Sequence, residues 1–340
     1  MNLYELTRSL VDIESTTNHE KNLGDYLFAH LSALAARSKG SVERMPVAAN
    51  RDNIFVCWDE PRVTLSTHMD TVPPFFASNE DNEFIWGRGS CDAKGIVAAM
   101  IAVAEKLLAG GTRNFGLLFV VGEERDSAGA KAAAKSGRGS RFLINGEPTE
   151  NHLALGCKGA LRYEITARGK LAHSAYPELG RSAIHTLLDV LQDIRQIPLP
   201  QDGLLGSTTL NIGTIDGGRA PNVVADFAEA EIMFRTVGEP CALRQAVGTA
   251  VAGRAEAREV LHTPAARLNT FEGLPTKVVA FTTDIPTFDG AWGEPYLIGP
   301  GSIHVAHTAE ERIAKKELSE AVEIYARMTR QLLASGRGGA

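Results

Sequence analysis

Two apolar rhythms alternate along the first 158 residues. Apolar positions at helical spacing run from about Asn2, and again through EKNLGDYLFAHLSALAAR. Alternating or continuous apolar runs at SVERMPV, NIFVCW and RVTLS predict strands. There follow an Ala-rich helix, AKGIVAAMIAVAEKLLAGG, closed by its glycines, the strand NFGLLFVV, a short Ala/Lys helix and the strand RFLIN. Short apolar runs set between helices predict an α/β sheet covered on both faces. In such sheets functional residues collect at strand ends.

From Gly159 to about Leu268 the rhythm changes. A strand (ALRYEITARG) is followed by a helix (RSAIHTLLDVLQDIRQ) and two strands (STTLNIGTI, VVADFAEAEIMFR). A helix (CALRQAVGTAVAGRAEA) and a last strand (EVLHTPAARL) complete the stretch. The order βαββαβ predicts a ferredoxin-like unit inserted within a larger domain. The α/β pattern then returns with KVVAFTTD, PYLIGPG and the helix ELSEAVEIYARMTRQLLAS, and the terminal SGRGGA is expected to fray. The predicted architecture is a doubly wound, mixed-sheet α/β domain, residues 1–158 and 269–340, carrying a ferredoxin-like domain over 159–268.

Length agrees with two domains, since 340 residues exceed what one core usually serves. Hydrophobic residues at 44% and charged residues at 22% describe an ordinary soluble globular protein. A formal net charge of -6 and no block of like charge argue against nucleic acid as the natural partner, because phosphate binding needs a basic stripe. The cysteines Cys57, Cys91, Cys157 and Cys241 form no CxxC pair, so free thiols in a reducing compartment are expected. MNLYELTRSLVDIES reads as an amphipathic helix, and no signal peptide or membrane span is visible. A cytoplasmic location, with no membrane partner, follows as the expectation.

The candidate chemistry begins at LSTHMDTVP, where a strand-like run ends in His68 and Asp70. Residues two apart on a strand point to one side. Asp70 could therefore hold one ring nitrogen of His68 while the other binds a metal. Alone, the pair reads first as a buried histidine satisfied by a local carboxylate. Other carboxylates fall at further strand ends: Asp92 before the Ala-rich helix, Glu123 and Glu124 after LLFVVG, Glu147 after RFLING. Each alone could be an N-cap or a loop charge, but together they surround the ends of one sheet. Oxygen and imidazole ligands without thiolate suit zinc, and to a lesser degree manganese or cobalt. Two divalent ions would be offset in part by Asp92, Glu124 and Glu147, which favours a two-metal hydrolytic site. Glu123 could then take the proton of the metal-activated water and pass it to the leaving nitrogen.

HMDTVP, GRGSCDAKG, GEERDSAGA, INGEP, GKLAHSAYPELGRSAI, GGRAPNVV and GPGSIHVAH, in this order across nearly the whole chain, resemble the co-catalytic zinc amidohydrolases. That family includes acetylornithine deacetylase, succinyl-diaminopimelate desuccinylase, aminoacylase and glutamate carboxypeptidase. The resemblance implies a zinc-hydrolase catalytic domain with a lid and dimerisation domain, two Zn2+ ions (Co2+ or Mn2+ being alternatives) and a homodimer. It gives His68 and Glu147 to one metal, Asp92 to both, and Glu124 with a C-terminal histidine to the second. Asp70 orients His68, and Glu123 is the general base. His304 and His307 both compete for the last ligand position; an acidic residue four positions later, Glu311, selects His307. The resemblance also implies that His173 donates to the substrate oxyanion across the dimer and that Asn222 and Arg235 grip the substrate carboxylate. A guanidinium fork suits that carboxylate. It further implies a cis peptide after Asp92. Cys91 is read as packing, and His30, His152, His185 and His262 as structural or exposed.

The expected function is hydrolysis of the amide of a small N-acyl amino acid, of the acetylornithine, acetyl-lysine or acetylcitrulline deacetylase kind, in arginine or lysine biosynthesis. The alternatives are a desuccinylase or a di- or carboxypeptidase of the same family. A non-catalytic binding protein on this fold is a further alternative, but it should have lost a ligand or the base, and none is missing.

Overall fold

The structure is a computed structural model that describes residues 2–335; residues 336–340 of the tail expected to fray lie outside them. The chain divides into two compact units. The first comprises Met1–Leu155, Leu268–Lys277 and Thr283–Ala340, the second Gly156–Arg267 and Val278–Thr282. The sequence places the boundaries at 158/159 and 268/269 instead. The short stretch Val278–Thr282, expected to belong to the larger domain, is part of the second unit.

In the first unit a six-stranded mixed sheet runs in the order Ser41–Ala48, Arg51–Trp58, Phe115–Val120, Val63–His68, Phe142–Asn145, Glu294–Leu297. The last four are mutually parallel, while Arg51–Trp58 and Ser41–Ala48 join antiparallel. Alternation along the strands sends successive side chains to opposite faces. On one face Ile54, Val56, Trp58, Leu117 and Phe119 join a core with the helices α1 (Leu3–Val11), α2 (Lys21–Ser38), α3 (Lys94–Ala109) and α7 (Lys315–Ser335). On the other, Phe55, Leu118, Val120 and Leu143 pack with Ala130 and Ala133 of α4 (Ala128–Ala134), and with Phe288 and Trp292. Both faces are covered, as the apolar runs predict. Four parallel strands also bring four following loops to one edge of the sheet, and that placement builds the site.

The second unit is a four-stranded antiparallel sheet in the order Thr209–Gly217, Phe227–Thr236, Gly159–Arg168, Ala255–Thr263. The helices α5 (Ala183–Arg195) and α6 (Cys241–Val251) pack against it through Leu187, Leu191, Leu243 and Val247. The connectivity is βαββαβ. The sequence carries the second helix through Ala257, but α6 ends at Val251, and the last strand begins at Ala255 opposite Ala167. Gly253 supplies the break: its φ of 70° lies in the left-handed region that glycine adopts without a Cβ clash. Among the described residues no helix is long and apolar enough to cross a membrane.

Candidate metal centre and active site

Each strand end delivers one piece of chemistry. Val63–His68 ends in His68, Phe115–Val120 leads into the turn that carries Glu123 and Glu124, and Phe142–Asn145 into Glu147. Glu294–Leu297 leads into the loop that holds His307. Asp92 arrives from the segment before α3, and the Asp92–Ala93 peptide is cis, as the resemblance implies.

Ligand atoms of His68, Asp92 and Glu124 lie within 4.8 Å of one another. Asp92 faces an imidazole with each of its oxygens, Oδ1 at 2.9 Å from His68 Nε2 and Oδ2 at 3.4 Å from His307 Nε2. His307 Nε2 is also 3.0 Å from Glu124. The structure thus brings His307 into the cluster, while His304 is exposed in the preceding turn. Glu147 lies outside the tight trio but is buried and feels the charges of both His68 and Asp92.

The donor set fits a cation. His68 Nδ1 lies 3.0 Å from the Asp70 carbonyl oxygen, so this nitrogen carries the proton and donates it. In the neutral ring Nε2 then presents a lone pair to an Asp92 oxygen, a contact that only a proton or a metal ion makes favourable. Without metal the proton does so. Burial opposes a charged His68, but the carboxylates of Asp70 and Asp92 outweigh it and hold its pKa well above the ordinary value. Hydrogen bonds to the Asp92 and Glu124 carboxylates push His307 up to about 10. Burial and the charge of Glu147 raise the Glu123 carboxyl well above the carboxylate range. Burial likewise raises Glu147 and Glu124, with Asp92 adding to both. Crowded acids facing two imidazoles are what a divalent cation relieves.

Asp70 works differently from expectation. Its main-chain carbonyl makes the hydrogen bond to His68, and its carboxylate Oδ1 stands 3.6 Å from the same ring nitrogen. The carboxylate accepts instead the backbone N–H of Glu123 at 3.1 Å, the N–H of Glu124 at 3.3 Å and the Thr17 hydroxyl at 2.8 Å. One residue therefore fixes His68 and the Glu123–Glu124 turn together.

Several contributors escaped the sequence reading. Thr17 is one. Glu311 served only to choose between two histidines, yet its buried carboxylate accepts the N–H groups of Gly89 (2.8 Å), Cys91 (3.3 Å) and Asp92 (3.2 Å) and pairs with buried Arg88. It ties the loop that carries Asp92 to the segment that carries His307. Asp284 is buried beside Ser127, and burial pushes its pKa up to about 7; its field reaches Glu123 and Glu147. The available signal was an acid inside an otherwise apolar or hydroxyl-rich run, too common to be specific. Cys91 packs as expected, its thiol donating to the Ser302 carbonyl at 3.3 Å and raised in pKa by burial.

The remaining candidates belong to the second unit. His173 ends the short strand Ala172–His173, and Asn222 lies in the turn before that strand's partner, Val223–Val224: His173 pairs with Val223, and the Ser174 N–H donates to the Asn222 carbonyl at 3.0 Å. His173 is exposed, and its Nδ1 accepts the Ala175 N–H, so the neutral ring carries its proton on Nε2. Arg235, half-buried on Phe227–Thr236, donates through Nη1 to the Thr282 hydroxyl at 3.1 Å.

An α/β sheet that gathers imidazoles and carboxylates at the ends of its parallel strands defines a metal-dependent hydrolase. Residues 64–331 match the profile of Peptidase family M20/M25/M40, and the chain belongs to that family. It is 40% identical to a peptidase M20 domain-containing protein of Schizosaccharomyces pombe, over 96% of this chain and 84% of the relative. It is 36% identical to a probable carboxypeptidase of Talaromyces marneffei, over 96% of this chain and 85% of that one. An M20 family metallo-carboxypeptidase from Sulfolobus solfataricus shares the fold with a TM-score of 0.81 at 15% identity, covering 98% of this chain and 99% of that chain. The chain is thus an enzyme of the M20 metallopeptidase family. The Talaromyces relative is named a probable carboxypeptidase, and an arginine or lysine biosynthetic role gains no support from it.

Proposed function

We propose that the protein hydrolyses the amide bond of an N-acyl amino acid with two divalent metal ions, zinc in the first instance and cobalt or manganese as alternatives. The observation that carries this reading is Asp92, which offers one oxygen toward His68 and the other toward His307. His68, Asp92 and Glu147 would hold one ion, and Asp92, Glu124 and His307 the other. When bound, the pair would polarise the scissile carbonyl and acidify water.

Glu123 accepts a proton from the attacking water as its oxygen bonds to the carbonyl carbon, and returns that proton to the nitrogen as the C–N bond breaks. Its backbone is fixed by Asp70, and its half-buried carboxyl has the raised pKa that suits alternating acceptance and donation. His173 Nε2–H donates to the developing oxyanion, and Asn222 and Arg235 hold the substrate carboxylate. His173→Ala is expected to lower kcat by about 10²–10³-fold with metal content unchanged. Arg235→Ala should raise KM with little change in kcat, because the carboxylate grip serves ground and transition states alike. The reverse pattern in steady-state kinetics would refute these roles.

A carboxypeptidase is the second reading, favoured by the name of the Talaromyces relative. Both substrates present an amide next to a free carboxylate, and they differ in the acyl side. Assays of the metal-loaded enzyme on N-acetylornithine, N-acetyllysine, N-acetylcitrulline and N-succinyl-diaminopimelate, against dipeptides and N-blocked peptides, separate them. Preference for peptides would discard the deacylase reading.

The second unit supports a homodimer. Thr209–Gly217 is a sheet edge, and Ile215 on it and Leu188 on α5 are 54% and 50% exposed. Edge strands of this kind invite pairing. Light scattering at micromolar concentration should return twice the chain mass of 36.5 kDa; a monomer there would also remove His173 from action in trans.

A further inference from the structure

We propose that the first unit carries a second binding site, for a small organic dianion, at the end of its sheet opposite the metal centre. A cavity of about 520 Å³ opens there, lined by Arg62, Arg113, Arg330, Asp59, Thr112 and Asn114 among others. Arg62 immediately precedes Val63–His68, and Asn114 precedes Phe115–Val120, whose far ends lead to His68 and to Glu123. Six extended residues, roughly 20 Å, separate the cavity from the metal ligands.

The charge around the cavity is unbalanced. Arg113 is spent: its Nε and Nη2 bind the Asp59 carboxylate at 2.6 and 3.1 Å, and Nη1 and Nη2 donate to the carbonyls of Ser38 and Lys39. Arg62 and Arg330 are not spent. Among the described residues neither guanidinium has an ion-pair or hydrogen-bond partner, although most arginines of this net-acidic chain do. With Arg113 cancelled by Asp59, the lining keeps two positive charges. A guanidinium grips an oxyanion with two parallel N–H groups, which makes phosphate or a pair of carboxylates the matching ligand.

The site is built in advance at its base. The Arg62 N–H donates to the Asn114 carbonyl at 2.8 Å, and the Arg62 carbonyl accepts from Arg141 and Phe142, so the stem of the side chain starts from a fixed peptide at the sheet edge. The volume exceeds that of a bare phosphate several times over, given about 30 Å³ for each water it could hold. It leaves room for a carbon skeleton, with the Thr112 hydroxyl and the Asp59 carboxylate able to meet hydroxyl groups on it.

The test titrates the metal-loaded protein with inorganic phosphate in one arm and citrate in the other, by calorimetry at ionic strength matched with chloride. The wild type is compared with the Arg62→Gln/Arg330→Gln double variant. Both proteins keep the metal centre, so any anion bound there contributes equally to each. The wild type should show saturable binding that the double variant weakens at least about tenfold, with hydrolytic activity unchanged. Binding in the phosphate arm alone assigns a phosphoryl ligand, and binding in the citrate arm alone a polycarboxylate. Equal binding by both proteins, or none above chloride at roughly 10 mM, overturns the site. Two unpaired guanidiniums repel one another, so the unliganded double variant should melt no lower than the wild type. A lower melting temperature would give the two arginines a structural role and also overturn it.

Discussion

Glu123→Gln is expected to lower turnover by about 10²–10⁴-fold while leaving the fold and the metal content intact. The amide keeps the shape of the side chain and the backbone N–H that Asp70 holds at 3.1 Å. It cannot accept a proton from water or hand one to the leaving nitrogen. Burial and Glu147 already raise the pKa of this carboxyl, which brings its proton affinity closer to that of its reaction partners. The loss should therefore appear in kcat rather than in KM, and metal analysis should be indistinguishable from wild type. Turnover near the wild-type rate would end the general-base assignment even if metal is bound at the proposed site.

Asp92→Asn should have a comparable effect by a different route, through loss of metal. Both Asp92 oxygens face imidazoles, so one substitution would disturb both of the proposed ion positions. An amide offers one oxygen and no charge, and outer partners alone already change metal affinity by about 10–100-fold. Elemental analysis after dialysis should show the variant well below the wild-type metal content, and chelation of the wild type should reproduce its inactivity. Full metal content in the variant would remove Asp92 from the bridging role.

The metal-free protein has a pH signature whose sign follows from the same groups. Hydrogen bonds to Asp92 and Glu124 push His307 up to about 10, so its contribution to stability is complete below the ordinary histidine pKa and is lost as pH rises toward 10. Glu123, Glu147 and Glu124, raised by burial, bind protons in the folded state that the unfolded chain has released, and they act in the same direction. Chelated protein should thus lose melting temperature between about pH 6.5 and 10 more steeply than loaded protein.

The sheet and the strand-end chemistry were legible because apolar runs end abruptly in His68, in Glu123–Glu124 and, one residue beyond a glycine, in Glu147. Such punctuation is local, and a single chain displays it. Glu311 was not legible in its true part. Its carboxylate meets the N–H groups of Gly89, Cys91 and Asp92 about 220 positions earlier, and no local pattern records a side chain that closes on a distant backbone. Thr17 escaped for the same reason, since its partner Asp70 is 53 residues away. At Asp70 the residue was visible but the atom was not: spacing on a strand says which side chains share a face, and the contact to His68 runs through a carbonyl. The overrun of α6 arose from GRAEA, whose alanines and charges suit a helix until Gly253 takes a left-handed φ.

The first unit is assembled from three separated stretches of chain, and this sets an order for its synthesis on the ribosome. When residue 282 has been made, every residue of the second unit exists, and domains generally fold as units as they emerge. The first unit at that moment lacks the edge strand Glu294–Leu297, the histidine at 307, the carboxylate at 311 that fastens the Asp92 loop, and the helix that covers α3. His68, Asp92 and Glu124 are already on the nascent chain, but the second imidazole facing Asp92 arrives only at residue 307. Completion of the metal centre is therefore a late event, and a ribosome stalled before residue 307 carries a chain with only one of the two imidazoles that face Asp92.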